Sequence, residues 1–382
     1  MSQLLKAPSL AELRKRKSAK WREYDLDVVP LPVAEMDYPI ADPVIHAVTS
    51  MMGRSDTGYL GKFPELGQAF AGFALRRWSW KVDPESVRIT TDVGVAMVEI
   101  LRVLGKPGDG VVVMPPVYPS FYNWAAEIQF PMVEVPLLHQ ENDYAIDFAG
   151  LERAFVGGAR FLVISSPHNP LGMVFSVNEL ETIALLAREH GVIILSDEIH
   201  APLTYQGIKF TPFASVSSIA AQQVITLTSA SKSWNLAGLK CAIFFTENQE
   251  LHERLEPLVK AIRHRASILG AVAHTVAFSD CDAWLDDAVF TIESSAAHFQ
   301  NLVVKHWPNV TITQPKNSYL SWVDFSRTQL GEDPAIELLE RARVALSSGM
   351  PFGAGGARHA RLNFATSPEI LEEAVARIAP CL

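Results

Sequence analysis

Four short, mostly β-branched apolar runs recur along the middle of the chain, and each stops at a polar or turn residue. They are VVVM at 111–114, FLVIS at 161–165, VIILSD at 192–197 and VITLT at 224–228. Runs of this length without polar alternation suit strands buried on both faces. Between them apolar residues fall at helical spacing, near 94–104, 118–128, 177–190 and 213–221. The stretch Glu179 to His190 runs into Gly191, the residue type that commonly closes a helix. Alternating strands and helices imply parallel pairing with helices on both faces of the sheet. Ligands bind such sheets beyond the carboxyl ends of the strands, so the polar residues that close these runs matter most.

The last third reads differently. Helical spacing dominates from about 249 to 306, followed by three short strand candidates: YLSWVDF at 319–325, ALSSGM at 345–350 and RLNFA at 361–365. A final helix is expected from Ser367, with Pro368 in its first turn. The expected class is therefore α/β: a large domain with a mostly parallel central sheet sandwiched by helices, plus a smaller α+β domain. At 382 residues and 48% hydrophobic, the chain can bury cores for both. The expected division is an N-terminal arm at 1–45 packing with the small domain, a large domain at 46–280 and a small domain at 281–382. The boundary should fall within a long helix around 270–300, since no Gly/Pro linker marks it.

Charge and cysteine content exclude several function classes. A net charge of -9 leaves no electrostatic footprint for nucleic acid. The one basic run, Arg14-Lys15-Arg16-Lys17 with Lys20 and Arg22, has no aromatic stripe or second basic cluster beside it. It reads as the solvated face of an N-terminal helix or arm. Cys241, Cys281 and Cys381 are odd in number and lack metal-ligand spacing, which points to a reduced compartment. The first residues, MSQLLKAPSLAELRKRK, hold no apolar signal core, and no run is long enough to span a bilayer. The expected location is the cytoplasm, with no nucleic-acid, membrane or metal partner.

Three strand ends carry candidate chemistry. Ser166-Pro167-His168-Asn169-Pro170-Leu171-Gly172 sets an amide side chain in a turn stiffened by two prolines. Asp197 follows the apolar run VIIL after a single serine, where a carboxylate must be paired, hydrated or neutralised. Lys232 follows Thr228-Ser229-Ala230-Ser231 at the end of another run, and a desolvated lysine there becomes a nucleophile. Each alone has a plain alternative: an ordinary loop, a helix cap or salt bridge, a surface lysine. The three in this order within 64 residues are far more specific.

This ordered set resembles fold-type-I pyridoxal-phosphate enzymes, the aspartate aminotransferase superfamily. The resemblance runs nearly the whole chain and is nearest to the MalY/PatB branch of cystathionine β-lyase-like C–S lyases. It rests on KWREYDLDVVPLPVAEMDYPI, the Gly-Tyr pair at 58–59, MPPVYPSF, SSPHNPLG, SDEIHAPLTY, TSASKSWNLAGLK, NSYLSWVDF and RLNFATSPE. It implies that pyridoxal 5'-phosphate forms a Schiff base with Lys232, the pair of Lys232 and Asp197 being catalytic. Asp197 should face the pyridine nitrogen, Asn169 should donate to the phenolic oxygen, and Tyr118 should stack on the ring. The phosphate should meet Ser229, Ser231 and the backbone amides of Val95 and Ala96, where a helix N-terminus suits a dianion. Tyr59 should reach the phosphate from a neighbouring subunit, so the protein should be a homodimer with shared sites. Arg361 should clamp the substrate carboxylate with its planar fork.

The chain also departs from the pattern. His200 stands where many aminotransferases have a tyrosine touching the phenolic oxygen, as in the lyase branch. Lys240 stands where an arginine is common, which puts its phosphate contact in doubt. Val33-Ala34-Glu35-Met36-Asp37-Tyr38 replaces the usual VADMDF. The glycine-rich PFGAGGARHAR at 351–361 is either a mobile loop beside the carboxylate site or a connector. The implied reaction is α,β-elimination of cystathionine or another S-substituted cysteine to a thiol, pyruvate and ammonia. An aminotransferase built from the same residues is the alternative, and a cofactor-binding regulatory protein a more distant one. The Asn169–Pro170 and Pro115–Pro116 bonds are expected to be cis.

Overall fold

The computed structural model of the chain describes residues 3–140 and 143–382. Seven strands make the main sheet: β1 (Arg88–Thr90), β2 (Val111–Val113), β3 (Met132–Glu134), β4 (Phe161–Ser165), β5 (Ile193–Asp197), β6 (Val224–Thr228) and β7 (Ala242–Phe245). Their order is β1-β7-β6-β5-β4-β2-β3. Strands β2 to β6 pair in parallel, whereas β7 runs antiparallel to both β6 and β1. The four runs read from the sequence are the central strands. Strand β7 is the departure from parallel pairing: only a one-turn helix (Ala230–Ser233) and a 3-10 turn (Ala237–Leu239) separate it from β6, too little to carry the chain back across the sheet.

Burial on both faces explains the unbroken apolar runs. Val112, Leu162, Ile164 and Ile194 enter one core cluster, while Val111, Val113, Phe161, Val163 and Leu195 enter the other. Helix α1 (Val93–Leu104) starts one residue earlier than its pattern, α2 (Ser120–Glu127) is shorter, and α3 (Val177–His190) matches. Ser176 and Glu179 form a capping box at the start of α3, and Gly191 ends it at φ +66. The pattern near 213–221 divides into a 3-10 turn, Phe213–Ser215, and a short helix, Ser218–Gln223.

Helix α4 (Gln249–Arg263) is followed by α5 (Ile268–Asp280) and α6 (Asp282–His306), which meet at Cys281. Beyond α6 lies a second, antiparallel sheet of β8 (Thr311–Ile312), β9 (Leu320–Asp324), β10 (Ser347–Ser348) and β11 (His359–Asn363), in the order β8-β9-β11-β10. The last helix, α7 (Pro368–Ile378), is capped by Ser367. Among the described residues no helix is long and apolar enough to cross a membrane.

The N-terminal arm is built around one buried carboxylate. Asp37 is completely buried. It accepts hydrogen bonds from Lys20 Nζ at 2.8 Å and Trp21 Nε1 at 3.0 Å. Arg16 donates to the carbonyls of Met36 and Asp37. The basic run is thus not simply a solvated face: Lys20 is as buried as its partner, because only a cation can meet a carboxylate placed there. The pair fixes the strap Pro32–Asp37, which both halves of the chain then grip. Asn235 Nδ2 donates to the Met36 carbonyl at 2.8 Å and its Oδ1 accepts from the Met36 amide at 3.0 Å. Asn363 Nδ2 donates to the carbonyls of Val33 and Glu35, both at 2.7 Å. Upstream, Val29–Pro30 pairs in parallel with Val344–Ala345.

Removing the cation should strand the carboxylate. Lys20→Met is expected to cost about 3–5 kcal/mol in urea unfolding, and Arg16→Ala, whose side chain is partly exposed, much less. Equal losses would show that Lys20 is not the required partner.

Candidate active site

A cavity of about 520 Å³ lies at the carboxyl ends of the central strands, roofed by the strap residues Pro32, Val33 and Ala34. Its wall brings together Tyr118, Asn169, Asp197, His200, Ser231, Lys232, Lys240 and Arg361, drawn from the whole length of the chain. A hollow of about 570 Å³ beside Arg76 and Arg77 is similar in size. Both of its arginines are already paired, with Asp282 and Asp286, and it gathers no comparable chemistry.

Lys232 sits in the one-turn helix after β6, and its Nζ donates to the Ala34 carbonyl at 3.0 Å. Desolvation in the cavity, aided by the Arg361 charge and opposed by Asp197, lowers its ammonium to about 8. Asp197, the last residue of β5, accepts from the Ile199 amide at 3.2 Å. Burial pushes its carboxyl up to about 7. His200 is buried, with Nδ1 3.3 Å from Ser318 Oγ and its ring edge-on to Tyr319. Burial and the neighbouring Lys232 and Arg361 push it down to about 3, so the ring is neutral near pH 7.

Asn169 and Arg361 meet directly. Arg361 Nη1 donates to Asn169 Oδ1 at 3.1 Å, which turns the Asn169 amide nitrogen into its remaining donor. Arg361 Nη2 donates to the Pro32 carbonyl at 3.0 Å and to Ser347 Oγ at 3.3 Å. The guanidinium lies 5.3 Å from the Phe352 ring centroid. Arg361 is buried, yet no carboxylate lies within ion-pair distance among the described residues, and its Nε has no partner. Tyr118 is half-buried, edge-on to Phe121 and Trp124. The Pro115–Pro116 and Asn169–Pro170 bonds are cis, and so is Ser166–Pro167, which the sequence reading did not include.

Two of the expected phosphate contacts, the helix amides and Ser229, are placed differently. The amides of Val95 and Ala96 are already occupied, because Asp92 caps α1: its Oδ1 accepts from the Val95 amide at 2.8 Å and its carbonyl from Ala96 at 3.1 Å. The first two amides of the helix, two residues earlier at Val93 and Gly94, have no protein acceptor, and both residues line the cavity. The chain turns into the helix at Asp92, and Gly94 lies inside the helix, where a Cβ would collide with the Trp124 ring. Ser229 lies behind the wall. Its hydroxyl donates to the Cys241 carbonyl at 2.7 Å, approaches His274 Nε2 at 2.9 Å, and accepts from the Ser231 amide. Tyr59 is outside the cavity of its own chain and 89% exposed.

Other wall residues went unread. Asp92 had a legible signal, an acidic residue just ahead of an apolar helix pattern. Tyr24, Trp124 and Ser347 had none, since nothing local distinguishes them from ordinary arm, helix or strand positions. The Ala34 carbonyl, which also accepts from Tyr319 Oη at 3.1 Å, is backbone and leaves no mark in sequence.

Residues 27–378 match the family of aminotransferases class I and II. A cystathionine beta-lyase of Corynebacterium glutamicum is 35% identical, with 99% of this chain and all of that one aligned. The cystathionine beta-lyase PatB of Bacillus subtilis is 32% identical over 93% of each chain. Cystalysin of Treponema denticola, whose crystal structure contains a pyridoxal 5'-phosphate cofactor, superposes with a TM-score of 0.92 at 27% identity, covering 100% of this chain and 98% of that one. The chain belongs to the class I and II aminotransferase family.

Proposed function

We propose that the protein is a pyridoxal-phosphate-dependent C–S β-lyase that cleaves cystathionine or related S-substituted cysteines to a thiol, pyruvate and ammonia. The observation that carries this reading is a single cavity combining a lysine lowered to about 8, a buried carboxylate and a buried arginine without an anion. Those charges match the cofactor and its substrate. A buried guanidinium without a carboxylate suits the α-carboxylate of an amino acid. A desolvated Asp197 suits a protonated ring nitrogen, which would keep it ionised. The amides of Val93 and Gly94, with Ser231 and Lys240, suit a phosphate, and Asn169 retains a donor for the phenolic oxygen. Tyr118 offers its ring to the cofactor plane.

When bound, pyridoxal phosphate holds the substrate amine covalently and takes up the electron pair left at Cα. Lys232, with its amine free, would remove the Cα proton as general base and could pass it to the thiolate leaving Cβ; its lowered proton affinity leaves part of it neutral near pH 7. Arg361, held by Pro32, Ser347 and Asn169, fixes the carboxylate so that Cα is presented to that amine. Breaking the Cβ–S bond yields the thiol, and water completes release of pyruvate and ammonia. His200, neutral near pH 7, stands where many aminotransferases have the tyrosine that touches the phenolic oxygen. The reading extends to a cytoplasmic homodimer in which Tyr59, exposed and remote from its own cavity, reaches the partner's site.

Pyruvate should form from cystathionine without any keto-acid acceptor. Lys232→Ala should abolish it together with the visible absorbance of the bound cofactor. Turnover that requires a keto acid would instead favour the aminotransferase, and borohydride labelling of another lysine would remove Lys232 from its role.

Arg361→Lys keeps the charge but loses the fork. Charge-assisted hydrogen bonds of about 1.5–3 kcal/mol imply a fall in kcat/KM of roughly ten- to a hundredfold, concentrated in KM. An unchanged KM would place the carboxylate elsewhere.

Mixing the inactive Lys232→Ala dimer with an inactive Tyr59→Ala dimer should restore some activity once subunits exchange, as tagged co-purification would verify. Hybrids that form and stay inactive would exclude Tyr59 from a shared site.

A further inference from the structure

We infer that Asp92 restrains the grip of the cavity on the cofactor phosphate, by drawing off the charge of Lys240. The inference rests on the cofactor reading above and concerns how tightly that group is held. Asp92 and Lys240 line the same cavity as the unpartnered amides of Val93 and Gly94. Asp92 uses its two carboxylate oxygens differently. Oδ1 caps the Val95 amide at 2.8 Å, and Oδ2 takes Lys240 Nζ at 3.2 Å. Lys240 is itself held in the left-handed region, at φ +51. Its carbonyl accepts from the Ser267 amide at 3.1 Å, which ties its backbone to the start of α5.

The arrangement is electrostatically unusual for a phosphate end. A helix N-terminus attracts an anion through its amides and dipole. Here the cap itself carries a negative charge, and Lys240 is paired with it. The pair is neutral overall, so it adds no net charge beside the helix amides and the Ser231 hydroxyl that a phosphate would meet. Lys240 stands where the family resemblance has an arginine, and it brings a single point charge without the planar fork, so the carboxylate and a phosphate compete for that charge. Removing the Asp92 charge while keeping the cap should release Lys240 to the phosphate.

Asp92→Asn does this, since an asparagine oxygen still accepts the Val95 amide. Cofactor-free protein is prepared from each variant, and pyridoxal phosphate is titrated in and followed by absorbance. Pyridoxal, which lacks the phosphate, is the control. Asp92→Asn should tighten pyridoxal phosphate by about fivefold and leave pyridoxal unchanged. Lys240→Met should weaken pyridoxal phosphate by a similar factor, and the double variant should return towards the parent. Both side chains face solvent in part, so the shifts should shrink in 1 M salt. Asp92→Ser, also a capping residue without charge, must repeat the Asp92→Asn result, which guards against a folding defect peculiar to one variant. Weaker pyridoxal phosphate binding in both capped variants would overturn the inference and make Asp92 a residue that positions Lys240. An equal shift for pyridoxal would also overturn it. A parent chain that binds neither compound would overturn the cofactor reading itself, and this inference with it.

Discussion

The ion pair between Lys20 and Asp37 is the constraint on which the site depends. Neither residue touches the cavity, yet together they hold the strap that roofs it. Two carbonyls of that strap accept hydrogen bonds from the two cations the chemistry needs: Ala34 from Lys232, and Pro32 from Arg361. A charge pair buried this deeply gains little net stability over an apolar substitute, because desolvation offsets its attraction. Its contribution is position. The carboxylate has a cation on one side and an indole N–H on the other, and its own amide is bonded to the Ala365 carbonyl. The strap therefore has one place to lie. Asn235 and Asn363 then tie it to the one-turn helix that carries Lys232 and to the strand that carries Arg361.

Desolvation is the common cause of the electrostatics inside the cavity. It pushes Asp197 up, His200 and Lys232 down, and Arg361 down as well. Each shift measures the same deficit, a charged group separated from water without enough opposite charge nearby. Lys232 and Asp197 partly answer one another, but Arg361 has only neutral acceptors. A ligand with a positive ring nitrogen and a carboxylate supplies what is missing at both places. The cavity is organised around charges it does not itself contain, as expected of a site that selects its ligand by charge placement.

Much of this was legible in the sequence, for a definite reason. Buried parallel strands announce themselves as unbroken apolar runs, and ligands of such sheets bind at their carboxyl ends, so Asn169, Asp197 and Lys232 stood out as candidates by position, their roles coming from the family resemblance. Strands β1, β3 and β7 were not read. The first two are three residues long, and β3 is only partly buried, so neither gives a run to recognise. Strand β7 is fully buried but four residues long, and its reversed direction is set by the short connection before it.

The misplacement at α1 has a different origin. The expected phosphate contacts at this helix start were the amides of Val95 and Ala96. The helix begins at Val93 with Asp92 as its cap, and the glycine serves packing, giving Trp124 room against the first turn. That shift of two residues changes which amides can meet an anion, and it brings the Asp92 carboxylate to the phosphate end. Lys20 shows the same limit in reverse. A lysine within a basic run looks solvated until its partner is known, and Asp37 lies 17 residues away across a fold in the arm. Local sequence reports propensity and period; the pairing of buried charges is decided by where distant segments meet, and in this protein that meeting places the roof over the active cavity.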